Sequence, residues 1–333
     1  MNTKTSNIYP FHVFSKFIVQ ELPNYNQQGK FTTAINYMKD LLPSTEEVVH
    51  IVEQSSFEKK VLALGDLGMS LVTYNLGKKI PPVELTTSLQ MLASATSLVP
   101  RDSFPTYMTY NPIEALRTYS GDESEKHFIL HTKRSQAALQ FIIKSLLYLQ
   151  KNPFIPNRLD ILKATGTSIQ MVKKESASVH KDVNPEFFFR MFRRYFFPIE
   201  VKSVSYSSPS AVHLPELMLI DTITGYADAT RVKMIYDFLP YIEPKYKVAI
   251  KSSLQKSSLK ELYHSKEHRS HCQAEIEMLN HIFENLIHFR LAHQGLVTRY
   301  IRKQDSSVTL GTGGFPFDSF LGDLITMGEK AKI

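Results

Sequence analysis

The chain has 333 residues, with 39 Lys and Arg against 32 Asp and Glu for a formal net charge of +7, and 43% of it is hydrophobic. This suits a globular protein of one large domain or two modest ones, and the single cysteine, Cys272, excludes an intrachain disulfide. No apolar run approaches the roughly 20 residues that cross a bilayer, the N-terminus shows no basic stretch leading into an apolar one, and the basic residues form no run or nucleic-acid motif. The expectation is a cytoplasmic protein, monomer or homo-oligomer, that binds neither membrane nor nucleic acid.

Residues 1–115 read as a small N-terminal helical domain. Helical spacing runs over about residues 32–42, 57–76 and 82–98, and Pro43, Pro81, Pro82, Pro100, Pro105 and Pro112 separate the segments. Residues 116–333 form a larger helical domain. It opens on Tyr119-Ser-Gly-Asp-Glu-Ser-Glu-Lys126, a loop ending in an acidic helix start. The helix that follows, about 124–150, carries His127, Phe128, His131 and Thr132, with Phe128 and Thr132 one turn apart. A second helix is expected over 157–179. Next, Asn184 and Pro185 read as N-cap and first residue of a segment bearing Phe188, Arg190, Arg193 and Arg194.

Residues 200–209 suggest a short hairpin or an irregular loop. It continues into Tyr206-Ser-Ser-Pro-Ser210-Ala211-Val-His213. Helices resume over 214–226, 230–239, 244–251 and 258–289. Strand alternation is scarce, so the fold class is all-α. His264 and His268, at i and i+4 with His271 and Cys272 beyond, could share a metal on a helix or reach a haem, or could form a solvated face; residue 265 is Ser, where a zincin has Glu. The last amphipathic stretch repeats apolar residues at Leu279, Ile282, Phe283, Leu286, Ile287, Phe289 and Leu296, and sets Arg290 and His293 on one face. A Ser- and Asp-containing loop then leads to Gly311-Thr312-Gly313-Gly314, a flexible stretch with unobstructed backbone N–H groups.

The run Phe289-Arg290-Leu-Ala-His293-Gln-Gly-Leu-Val-Thr-Arg-Tyr300-Ile301, followed by Gly-Thr-Gly-Gly, resembles the haem-dependent indole dioxygenases, the indoleamine and tryptophan 2,3-dioxygenases and their relatives. The resemblance implies their two-domain helical fold, with haem b in the larger C-terminal domain. His293 would be the iron's proximal ligand, and Arg290 would meet a haem propionate or orient the ligand. Gly311, Thr312, Gly313 and Gly314 would close over the substrate, with Thr312 at its amine. Phe188 would stack on the indole and Arg193 hold the carboxylate; Arg190 and Arg194 lie close enough in sequence to compete for that role.

Phe128 and Thr132 match the aromatic and hydroxyl of the family's distal helix, and His131 is a rival there as a proton acceptor. Ser210 and Ala211 would pass over the haem edge. Around residues 195–221 the resemblance is closest to the branch of monodechloroaminopyrrolnitrin synthase, the tryptophan-rearranging enzyme of pyrrolnitrin biosynthesis, and it covers about residue 119 to the C-terminus. The implied activity is oxygenation of tryptophan or an indole derivative with dioxygen on ferrous haem, by addition at C2 or C3 with ring cleavage or rearrangement, in specialised metabolism. The alternatives are a haem sensor or carrier without turnover, and an all-α interaction module without cofactor.

Overall fold

The computed structural model describes residues 8–333 and is all-α, apart from one two-stranded hairpin. The first unit comprises α1 (Val13–Gln20), α2 (Leu22–Gln27), α3 (Phe31–Leu41), α4 (Thr45–Gln54), α5 (Phe57–Leu76) and α6 (Val83–Thr96). Ser44 and Glu47 form a reciprocal capping box at α4, and Ser56 caps α5. Every residue of α5 from Val61 to Tyr74 is buried, so α5 is the axis around which the others pack.

The larger unit begins with α7 (Glu123–Lys151), capped by Asp122, and α8 (Arg158–Asp182). A short helix at Pro185–Phe187, capped by Asn184 as expected, widens into a π-helical turn over Phe188–Phe192 and then tightens into a 3₁₀ turn over Arg193–Tyr195. The hairpin pairs β1 (Ile199–Val201) with β2 (Val204–Tyr206), antiparallel, with Val201 opposite Val204. Lys202 and Ser203 both have positive φ, the signature of a two-residue primed turn. Then come α9 (Pro215–Thr224), α10 (Ala229–Phe238), α11 (Pro244–Leu254), α12 (Leu259–Tyr263), α13 (Gln273–Val297) and α14 (Phe317–Ala331). α8 packs on both α7 and α13, and α14 folds back along α13. No described helix is long and apolar enough to cross a membrane.

One expectation fails. The single helix over 258–289 is two, α12 and α13, parted by a turn. The eight residues from His264 to His271 contain no apolar side chain, so two turns of helix there would have no face to bury. The histidines therefore do not share a helix face. His268 packs on Phe154, with ring centroids 4.2 Å apart, and Cys272 is buried beside Arg158 and Glu275. Neither lines the large cavity described below.

The position near residue 115 where the sequence suggests a boundary is densely bridged. Arg117 donates to Asp66 of α5 at 2.9 Å, Tyr107 to Glu125, and Tyr119 to Asp102. Fully buried Arg101 donates to the backbone carbonyls of Phe197 (2.8 Å) and Tyr206 (3.0 Å). One apolar core runs from Phe11 to Ala331.

Gly328 is where α14 meets α13 most closely. A Cβ there would collide with the Tyr226 hydroxyl, which is fixed by its 2.7 Å bond to the Leu324 carbonyl, and would sit 2.7 Å from Ile287 Cγ1. Gly328→Ala is expected to cost about 1–3 kcal/mol, the usual overpacking range, measured as a lower urea midpoint with unchanged m-value.

Candidate active site

A cavity of ≈ 270 Å³ opens between α7, the 185–195 segment, the turn after the hairpin, α13 and the stretch from Gly311 to Leu324. His293 is on its wall, one turn beyond Arg290. Its imidazole makes no hydrogen bond to any described residue, and burial pushes its pKa below the ordinary histidine value. A half-buried imidazole left unengaged on the lining of an apolar cavity is free to take a ligand, as an iron-binding histidine must be. The lining is mainly aliphatic and aromatic, which is the chemistry a porphyrin face packs against.

Aromatic rings make one side. Phe128 on α7 lies 5.7 Å from Phe188 and 5.4 Å from Phe192, centroid to centroid, and Phe188 meets Tyr300 edge-on at 5.3 Å. The Tyr300 hydroxyl is anchored on the carbonyls of Val179 (3.1 Å) and Val183 (2.9 Å), which locks this wall to the end of α8. Thr132 also lines the cavity; its hydroxyl donates to the Phe128 carbonyl at 2.8 Å, leaving only its lone pairs for a ligand. Phe104 and Met108, from the first unit, complete the lining. Phe192 is legible in retrospect as the residue one turn beyond Phe188.

His131 lies elsewhere. It is buried between α7 and α8, with Nε2 2.7 Å from Asp182 and Nδ1 3.1 Å from Glu175, and Arg134 beside it. Both ring nitrogens are engaged away from the cavity, so the geometry gives it the role of tying two helices together.

Arg193 is half-buried and is not among the residues that line the cavity. Its Nη2 donates to the Leu310 carbonyl, at the root of the glycine loop, while its Nη1 is buried without a partner. Of the competing arginines, Arg190 pairs with Glu186 on the surface, and Arg194 donates to the Asn26 carbonyl and the Tyr195 hydroxyl, with its Nε buried without a partner.

Gly311, Thr312 and Gly313 line the cavity, and Gly314, with φ +81°, closes their turn by donating to the Gly311 carbonyl at 3.0 Å. The loop lies against the turn bearing Ser210 and Ala211, both of which line the cavity. Ser208 donates to the Thr312 carbonyl at 2.6 Å, and Thr312 Oγ1 lies 3.5 Å from Ser210 Oγ. At Gly313 a Cβ would sit 2.8 Å from Val212 Cγ2 and 3.0 Å from Ser210 Oγ, so this approach needs glycine.

Under the turn, His213 stacks on Tyr241 (4.1 Å, 3°) and meets the edge of Phe238. Burial pushes its pKa down to about 3.

Arg290 lines the cavity, yet its guanidinium is occupied. Nη2 donates to Asp221 Oδ1 at 2.6 Å, and the group lies over the Tyr226 ring at 4.1 Å. Asp221 Oδ2 takes a second arginine, Arg231 on α10, at 3.0 Å, and Arg231 also lines the cavity. Sequence reasoning missed Arg231. The only signal was indirect: Asp221, an acid in the apolar run Leu217–Ile223, calls for buried cations.

The depressed pKa of His213 sets a pH dependence. Below the unfolded value of about 6.5 the unfolded chain takes up a proton that the folded imidazole refuses. Stability from this group is therefore full above about pH 6.5 and is lost as pH falls towards 3, by up to about 1.4 kcal/mol per unit. His213→Phe, which keeps the stack on Tyr241, is expected to lose stability less steeply than the native chain between pH 6 and 4. Parallel urea titrations check this.

Comparison with known families extends the reach of the resemblance. The family model described as monodechloroaminopyrrolnitrin synthase PrnB matches residues 11–331, so the match includes the first unit, where the motifs alone had carried little. That family is one of haem-dependent oxidoreductases within the tryptophan and indoleamine dioxygenase-like superfamily, acting on a tryptophan-derived substrate. With nearly its whole length matched and its all-α architecture in agreement, the chain belongs to the monodechloroaminopyrrolnitrin synthase PrnB family.

Proposed function

We propose that this chain binds haem b through His293 and uses dioxygen to oxidise tryptophan or a tryptophan-like indole, in a step of specialised metabolism. The observation that carries the reading is the imidazole of His293, free of hydrogen bonds to the described residues, on the wall of an apolar cavity that the glycine-rich loop also lines. Haem supplies the dioxygen activation that oxidation at indole C2 or C3, with ring cleavage or rearrangement, requires.

The protein's own groups bind, orient and exclude water. Phe128 and Phe188 present ring faces and edges to an indole. Thr132, with its proton already given to a backbone carbonyl, can only accept, and the indole N–H is a donor of matching kind. Arg193 binds the substrate carboxylate; the support for this is its buried, unpartnered Nη1 beside the lid. Thr312 and its neighbouring glycines contact the amine and seal the site. Ser210 and Ala211 abut both the lid and the cofactor space. His131 has no part in this chemistry, because its two nitrogens are held by Asp182 and Glu175.

Two variants test the reading. His293→Ala protein, expressed with ample haem, should lack the native Soret band; an unaltered spectrum would remove the assignment. Arg193→Gln should keep the band but bind tryptophan about 10–100-fold more weakly, the value of one charge-assisted pair, while indole itself binds as before. Equal weakening of both ligands would show that Arg193 serves the lid alone.

A further inference from the structure

Three charged groups meet behind the cavity wall, and their sum is not zero. Arg231 is 3% exposed, Asp221 0% and Arg290 4%. Both carboxylate oxygens of Asp221 are taken, one by each arginine, at 3.0 and 2.6 Å. Among the described residues no second carboxylate pairs with either guanidinium. One positive charge is therefore left buried without a counterion, a costly state unless something binds it.

The excess is not shared evenly. Arg290 is satisfied by Asp221, by the Tyr226 ring and, at 3.4 Å, by the Leu324 carbonyl. Arg231 has only Asp221, and its Nη1 is buried with no hydrogen-bond partner. Burial acts most strongly on both groups and opposes charge in each. At Arg290 the attraction of Asp221 and Tyr226 overcomes it and the pKa lies above the ordinary arginine value. At Arg231 burial prevails, with repulsion from Arg290 added, and the pKa lies below. A guanidinium nonetheless remains protonated in proteins, so Arg231 offers a fixed donor and a fixed charge to the cavity it lines.

The geometry points to Arg231 as the cation that anchors the cofactor, its free guanidinium edge taking a haem propionate while Asp221 holds it beside Arg290. This rests on the haem reading above. It moves the propionate contact from Arg290, where the motif resemblance puts it, to a residue on a different helix. A substrate carboxylate is the other anion such a site could take. The propionate is favoured by position: Asp221 ties Arg231 to the helical turn that carries His293, whereas the groups assigned to substrate are on α7, the 185–195 segment and the lid.

The test compares ferric haem with its dimethyl ester, which has the same ring and iron but no carboxylates. Kd is read from the Soret band, and loss rates from transfer to apomyoglobin. Native protein should prefer haem to the diester by about 10–100-fold, the range for one charge-assisted bond. Arg231→Gln should bind both within about 3-fold of each other, and Arg231→Lys should keep most of the preference. Removing Arg231 leaves Asp221 and Arg290 as a balanced pair, so the variant is expected to fold, which circular dichroism of the apoprotein checks.

If native protein shows no preference, or Arg231→Gln keeps the full preference, the inference falls while haem binding stands. If native protein binds neither compound, the haem reading falls with it. If haem binding is unchanged in Arg231→Gln but tryptophan binding to the holoprotein collapses, the anion is the substrate's and the proposal is overturned.

Discussion

A single buried carboxylate, Asp221, coordinates the part of the molecule where chemistry is expected. It joins three helices: its own α9, α10 through Arg231, and α13 through Arg290. Arg290 in turn lies on Tyr226, and Tyr226 reaches the backbone of α14. Buried ion pairs stabilise little against an apolar alternative, because desolvation offsets most of the attraction. What such a cluster does provide is a unique arrangement, since neither arginine can leave Asp221 without stranding a charge. The turn of α13 bearing His293 is thereby fixed in rotation and height.

Against that rigid wall the rest of the cavity is assembled from soft parts. Aromatic side chains on α7 and the 185–195 segment meet at a mixture of stacked, tilted and edge-on angles, an arrangement that tolerates small shifts when a flat ligand enters. The glycine loop is held from outside by few contacts, chiefly Ser208 on the Thr312 carbonyl and Arg193 on the Leu310 carbonyl. On the proposed reading, a firm wall at His293 facing a yielding wall opposite would suit a site that keeps a cofactor while exchanging substrate and product.

Much of this was legible in the sequence, for physical reasons that differ by element. α5 was readable from the helical spacing of its apolar residues over 57–76, and the structure adds a Ser56 cap at its start and Gly77 at its end. The hairpin was open to two readings until its turn showed two residues of positive φ. His293 and the Gly311–Gly314 loop stood out because, with the residues around them, they match the motif of a known family; neither would have done so alone. Arg231 did not: in Ala-Thr-Arg-Val-Lys-Met it has the look of a surface cation, and only the tertiary path of Asp221 buries it. His131 misled for the opposite reason. It follows Phe128 within one turn, so it shares roughly that region of α7, yet the neighbouring α8 presents two acids to it and claims both nitrogens. The helix over 258–289 failed because periodicity on either side masked a polar gap of two turns.

The contribution of the first unit bears on how such a protein could be recombined. Phe104 and Met108 line the cavity, and Arg101, three residues earlier than Phe104, fastens the hairpin whose far end leads to Ser208 and Ser210. Cavity shape and the mooring of the hairpin are thus encoded together in one eight-residue stretch far upstream of His293. A chimera that imports this stretch from a relative would change cavity size and the seating of the glycine loop in a single step, whereas one that splices after residue 115 would inherit both unaltered.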